Sequence, residues 1–144
     1  MKNQKEFFFF LKRIEFFFQL EAFVCLSKST IKLCCSHLTW FISVIYASPH
    51  LVERRLVWSN PSKIAKLHNH PWLMLGYFNE ILSSEDKYGG NQINLNRTLE
   101  FKECIDNCNF LDLGFVGLKF TWTNKRLVTS LILERLDRCF ANPS

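Results

Sequence analysis

The chain has 144 residues, 48% of them hydrophobic and 22% charged, so it is long and apolar enough to bury the core of one domain. Its net charge of +5 is uneven, since residues 1–70 carry ten Lys/Arg against four Asp/Glu and the rest carry eight against nine. The cations are dispersed, so charge alone does not distinguish a nucleic-acid surface from a solvated one. The six cysteines form no C-x-x-C pair, which argues against a structural zinc site and favours reduced core cysteines.

The first 26 residues are rich in phenylalanine, with runs at 7–10 and 16–18. Lys12, Arg13 and Glu15 interrupt the apolar sequence, so no uncharged run reaches the roughly 20 residues that would span a bilayer. We expect residues 1–26 to be a leader, helical or disordered, and residues 27–144 to form a partial domain. A Phe-covered helix over residues 5–26 would instead suit a membrane surface.

The next part of the chain is typical of strands followed by a helix. Apolar runs predict strands at Phe23–Leu26, Ile31–Cys35 and Trp40–Tyr46, of which the last is apolar on both faces. A helical stretch follows and extends to about His68. Pro61 is expected either to break this helix or to begin a second one after Asn60.

The second half alternates strands and helices. Trp72–Gly76 is a short apolar run of the central-strand type, and a loop with Gly89 and Gly90 separates it from a predicted helix at Arg97–Cys108. Further strands are expected at Phe110–Leu113, Lys119–Trp122 and Leu131–Phe140. This order of elements predicts an α/β layered fold.

One segment carries a specific resemblance. Residues 71–82 read PWLMLGYFNEIL and resemble the segment P-W-L-x-x-G-D-F-N-E-I-L of the endonuclease/exonuclease/phosphatase domains found in plant-type non-LTR retrotransposons. Other blocks are similar to family segments in the same order: residues 44–49, 55–58, 89–90, 110–124 and 134–138. The match covers about residues 40–144.

The resemblance implies a fold and a chemistry. The fold would be α/β (α+β), an incomplete four-layer β-sandwich flanked by helices and truncated at both ends. The chemistry would be Mg²⁺-assisted hydrolysis of a phosphodiester in DNA, which needs a metal ion, a group that orients water and donors for the developing charge. DNA is the implied partner and the nucleus the implied location, while no small-molecule substrate or membrane partner is expected.

Three residues match the family's catalytic positions. By resemblance, Tyr46 would contact the phosphate, Asn79 would orient the attacking water and Asp137 would hold a downstream histidine. Each also has a structural reading. Tyr46 could end a buried strand, Asn79 could make a turn, and Asp137 could pair with Arg135 or Arg138.

The chain departs from the family at its central aspartate, which is replaced by Tyr77. A phenol with an ordinary pKa near 10 cannot act as a base at neutral pH. No counterpart of the family's upstream metal ligands is found in residues 1–40, so no metal ligand is assigned, and the family's downstream histidine would follow Ser144. We therefore expect an inactive remnant of a retrotransposon endonuclease.

Two other functions stay open. The first is a module that binds DNA without cleaving it, through the cations Lys119, Lys125, Arg126 and Arg138, because phosphate contacts need no catalytic aspartate. The second is a membrane-surface scaffold that uses the Phe-rich leader.

Overall fold

Two β-sheets and two α-helices make up the part of the chain described by the computed structural model, residues 28–35, 38–67 and 69–143. The leader at residues 1–26 and the strand expected at Phe23–Leu26 lie outside these residues. The elements, in order, are β1 (Lys28–Cys35), β2 (Leu38–Tyr46), α1 (Leu51–Ala65), β3 (Trp72–Tyr77), β4 (Lys87–Tyr88), α2 (Leu95–Asn107), β5 (Leu111–Asp112), β6 (Trp122–Thr123), β7 (Leu133–Glu134) and β8 (Asp137–Ala141).

The larger sheet has the strand order β1-β2-β3-β8-β5. Strands β2 and β3 are parallel, and α1 supplies the crossover that a parallel pair requires. The other neighbours in this sheet are antiparallel. The smaller sheet, β4-β7-β6, is antiparallel throughout. A mixed α/β fold is therefore confirmed.

Helix α1 runs through Pro61 without a break, so both expectations for this proline were wrong. A proline inside a helix removes one backbone hydrogen bond. The buried residues Arg54, Val57, Trp58 and Pro61 follow the i, i+3, i+4, i+7 spacing of one helix face. Pro61 thus faces the interior, where burial of this face offsets the lost hydrogen bond.

Helix α2 lies close to its predicted bounds. Its N-cap is Asn94, whose side-chain oxygen accepts a hydrogen bond from the backbone N–H of Arg97 at 3.2 Å. Cys104 and Cys108 are both buried on its inner side, as expected for core cysteines. Neither described helix is long and apolar enough to cross a membrane.

The strand expected at Leu131–Phe140 is two strands in different sheets, β7 and β8. The change occurs at Arg135 and Leu136. There the side-chain oxygen of Thr121 accepts hydrogen bonds from the backbone N–H groups of Leu136 and Asp137, at 3.1 and 3.0 Å. A side chain thus replaces the regular ladder at the point where the chain passes between the sheets.

Aromatic rings fill the core between the larger sheet and the helices. Phe78 is fully buried, and its ring centroid lies 5.4 Å from that of Phe101 and 5.1 Å from that of Phe140. Trp58 brings α1 into the same cluster, with its ring 4.7 Å from that of Phe101. Rings at these distances add to the free energy gained by burial. This cluster attaches both helices to the sheet.

Candidate functional site

Gly76, near the end of β3, is required by the backbone of the neighbouring strand. Its φ is +140°, and a Cβ at this position would lie 2.0 Å from the carbonyl oxygen of Ile45 in β2. A real Cβ cannot approach an oxygen so closely, and L-residues rarely adopt this φ. The motif glycine is therefore explained by the packing of β3 against β2.

Glu80, three residues after β3, joins the sheet to both helices. Its Oε2 accepts hydrogen bonds from Arg54 of α1 at 3.3 Å and from Arg97 of α2 at 3.0 Å. Arg54 and Glu80 are both almost completely buried. Arg54 also donates to the carbonyl oxygens of Ser48 and Pro49, at 2.9 and 2.7 Å. Burial lowers the pKa of Arg54, and Glu80 opposes that change.

Gly76, Phe78 and Glu80 thus each have an architectural task, and we call these three residues the motif frame. Gly76 allows two strands to approach, Phe78 fills the core and Glu80 binds one arginine from each helix. The role of Glu80 was not predicted from the sequence. Its place directly after Asn79 in the motif was the only signal, and that signal does not reveal the arginine partners.

The other motif positions lie at one edge of the larger sheet. Tyr46 ends β2, Tyr77 ends β3 and Asp137 begins β8. Tyr77 is the register partner of both Tyr46 and Asp137, so the three residues lie side by side across adjacent strands. We call Tyr46, Tyr77, Asn79 and Asp137 the site edge. The structure brings these four residues together, while their functional roles stay predictions.

The two tyrosine rings of the site edge are stacked. Their centroids are 5.5 Å apart and their planes are inclined by 25°. The Tyr77 hydroxyl donates a long hydrogen bond, of 3.5 Å, to the side-chain oxygen of Asn79. Asn79 has a φ of +53°, in the left-handed region that asparagine tolerates better than most residues. The conformation of this turn is therefore a structural reason for an asparagine at position 79, separate from the catalytic role expected by resemblance.

Tyr77 is less acidic than an ordinary tyrosine. Burial, followed by the carboxylate of Asp137, raises the pKa of Tyr77 to about 12. Burial and a nearby negative charge both disfavour the phenolate. At neutral pH the side chain is therefore a neutral hydroxyl, where the family motif has a carboxylate.

Arg138 is buried among carboxylates. Its side chain is 1% exposed, and its guanidinium donates to Asp112 at 2.6 Å and, in a very short contact, to Asp86. Arg135 joins this group through a 2.9 Å hydrogen bond to Asp112. Arg138 in β8 and Arg135 just before it thus connect this part of the chain to the turn before β4 and to β5. A side chain enclosed in this way is not available to contact a DNA phosphate.

The other three predicted DNA contacts are differently placed. Lys125 and Arg126 are exposed on the loop after β6, and Lys119 is partly buried with its ammonium 5.8 Å from the ring centroid of Phe120. Thr121, two residues after Lys119, bonds the backbone of Asp137. This segment is therefore anchored at the site edge.

Among residues 28–35, 38–67 and 69–143, no group of three or more His, Cys, Asp or Glu side chains is arranged to hold a metal ion. The acidic residues Asp86 and Asp112 were not singled out from the sequence. They lie 52 and 26 residues from Arg138, so no local pattern connects them to it.

No family model matches the chain, and no curated protein matches it. Solved structures do match. The endonuclease domain of TRAS1, a telomere-specific non-LTR retrotransposon, has a TM-score of 0.63 at 10% identity, covering 87% of this chain and 57% of that domain. Beta toxin from Staphylococcus aureus has a TM-score of 0.55 at 16% identity, covering 81% of this chain and 43% of the toxin. SmcL has a TM-score of 0.53 at 15% identity, covering 81% and 42%.

These identities are low, so the likeness concerns the fold alone. The chain spans little more than half of the TRAS1 domain and less than half of the other two proteins. The two sheets and two helices carry this likeness. The chain therefore has a mixed α/β fold similar to that of endonuclease/exonuclease/phosphatase-like proteins.

Proposed function

We propose that this chain is a non-cleaving relative of the endonuclease domains of plant-type non-LTR retrotransposons. The observation that carries the proposal is Tyr77, a neutral phenol at the position where the motif has its carboxylate. Phosphodiester hydrolysis at neutral pH needs a group that activates or orients water. A hydroxyl that keeps its proton up to about pH 12 supplies no such base.

The described residues of the site edge do not fit a catalytic Mg²⁺ ion, which is typically bound in proteins by one or two carboxylates. The position of the motif carboxylate holds a tyrosine whose hydroxyl already donates to the Asn79 oxygen. The ring of Tyr77 also occupies the space beside Tyr46. We therefore derive no catalytic step through a metal.

A nicking assay tests the loss of cleavage. Purified protein with Mg²⁺ is expected to leave supercoiled plasmid DNA and abasic-site duplexes as intact as a control without protein. Tyr77→Asp alone is expected not to restore robust turnover, because one carboxylate does not complete a metal site. Metal-dependent nicking by the unmodified chain that Asn79→Ala abolishes would overturn the proposal.

A second candidate function is DNA binding without cleavage, with a nuclear location. It is favoured by Lys125 and Arg126, which are exposed on the loop after β6. Thr121, the residue before β6, accepts a hydrogen bond from the backbone N–H of Asp137 in the site edge. Lys119 precedes Thr121 by two residues and would extend the same surface. Cations of this kind neutralise phosphates and release counterions, whatever the catalytic residues are.

Salt-dependent binding tests this candidate. The double variant Lys125→Ala/Arg126→Ala is expected to weaken binding and to reduce the slope of log K against log[salt] by about 1–2, since each phosphate contact contributes nearly one unit. Lys102→Ala, at an exposed lysine of α2, is the matched control. Equal slopes for all three proteins would exclude the loop as the DNA contact.

A further inference from the structure

The tyrosine pair has a geometry that the loss of a carboxylate alone does not explain. Tyr46 and Tyr77 stack at the ends of parallel strands, with their centroids 5.5 Å apart. Tyr46 is 38% exposed, whereas Tyr77 is largely covered. The pair therefore presents one accessible aromatic ring that is supported by a second ring.

The charges around the pair favour a neutral ligand. Asp137 and Glu134 both disfavour a negative charge at Tyr77, and the buried Arg54 only partly opposes them. A phosphate placed at the rings would meet the same repulsion from the two carboxylates. An uncharged planar group would not meet this repulsion, and a nucleobase is such a group, which can stack through its π-face.

Cations lie on the segment that is anchored beside the rings. The backbone N–H of Asp137, the register neighbour of Tyr77, donates to Thr121. Lys119 is two residues from Thr121, so its Cα lies within about 7 Å of the threonine Cα. Lys125 and Arg126 follow on the exposed loop. One nucleic-acid strand would thus place its phosphates at these cations and one of its bases on the rings.

We infer that the Tyr46–Tyr77 pair is a stacking platform for an unpaired base of single-stranded DNA. The inference rests on the proposed DNA-binding function and adds the class of DNA and the residue that recognises it. An unpaired base can leave its neighbours to stack on a protein ring, whereas a base inside a duplex has both faces covered. Tyr77, at the position where the resemblance implies an aspartate, would thus support the Tyr46 ring on which the base stacks.

The test compares the affinities of the full chain for a fluorescein-labelled single-stranded oligonucleotide and for a duplex of the same length. We expect the single strand to bind more tightly. Tyr46→Leu keeps an apolar side chain but removes the ring, and is expected to weaken single-strand binding about tenfold and duplex binding by a clearly smaller factor. Tyr46→Trp is expected to retain the binding.

Tyr88→Leu is the matched control, because Tyr88 is also an exposed tyrosine but lies outside the stacked pair. Circular dichroism establishes that each variant is folded. A single-stranded oligonucleotide with 2-aminopurine adds a direct readout, since stacking on a ring changes its fluorescence and Tyr46→Leu should cancel the change.

The inference is overturned if Tyr46→Leu binds the single strand as well as the unmodified chain does, or if the duplex is preferred. If duplex binding depends on Lys125 and Arg126 but not on Tyr46, the proposed DNA-binding function stands and only the stacking platform is excluded. Tighter Tyr46-dependent binding of a matching RNA oligonucleotide would overturn the assignment to DNA. Absence of all binding would overturn both proposals.

Discussion

The motif frame alternates with two residues of the site edge, Tyr77 and Asn79, over five consecutive positions, but the two sets have different constraints. Gly76, Phe78 and Glu80 are held by a strand contact, a ring cluster and two arginines. Tyr77, between them, stacks on Tyr46 at the end of the sheet. Gly76, Phe78 and Glu80 match the motif quoted in the sequence analysis, and the residue that differs, Tyr77, stands where the resemblance implies a catalytic carboxylate. The packing demands on this segment are therefore separate from the identity of residue 77.

The largest effect is expected from Gly76→Ala, which tests the motif frame directly. The new Cβ would lie 2.0 Å from the Ile45 carbonyl oxygen, and only backbone movement could relieve the overlap. We expect a loss of about 4 kcal/mol or more in the free energy of unfolding, measured by urea denaturation. Gly114→Ala is the control, because its φ is also positive but its Cβ meets no atom within 4 Å. Equal losses for both variants would show that φ, and not the contact with β2, determines the need for glycine.

Removal of the Glu80 carboxylate is expected to have the next largest effect. Glu80→Leu would leave the buried Arg54 without its carboxylate, and an uncompensated buried charge typically costs about 3–5 kcal/mol. Glu100→Leu is the matched change at the surface, since Glu100 pairs with Arg55, an exposed residue of α1. We expect no measurable loss from this second variant. A stability of Glu80→Leu equal to that of the unmodified protein would refute the structural role of Glu80.

Deprotonation of Tyr77 at alkaline pH is expected to change the free energy of unfolding by a smaller amount. The pKa of Tyr77 is about 12 in the folded chain and near 10 in an unfolded one, so between these values the folded state keeps a proton that the unfolded state loses. Stability is therefore unaffected by Tyr77 below pH 10 and falls as pH rises from 10 to 12, by about 1 kcal/mol at pH 11. Tyr77→Phe should lack this part of the decline in urea denaturation at pH 8–11. Parallel pH curves for the two proteins would contradict the raised pKa.

The sequence predicted the parts of the molecule that depend on local patterns. The apolar run Trp72–Gly76 indicated β3, and the pattern over Arg97–Cys108 indicated α2. Pro61 was misread because it is buried beside β2 and β3, which are distant from it in sequence. Likewise, the division of Leu131–Phe140 depends on Thr121. Local periodicity carries no information about such long-range contacts.

The site residues were likewise identified by a local pattern. The motif alignment singled out Tyr46, Tyr77, Asn79 and Asp137, and the structure brings them together because the ends of neighbouring strands meet at one edge of a sheet. It also placed Arg138 among the DNA contacts, although this side chain is enclosed by Asp86 and Asp112. Residue type alone cannot distinguish an arginine that faces solvent from one that pairs in the interior.

The hydroxyl of Thr121 has a consequence for local opening. It is the acceptor for two successive amides at the junction of β7 and β8, so both amide protons depend on the same side chain for protection from solvent exchange. When that side chain moves away, the backbone amides of Leu136 and Asp137 lose their acceptor together, at the point where the chain passes from one sheet to the other. In terms of hydrogen exchange, the loop with Lys125 and Arg126 and the site edge would thus belong to one cooperative unit.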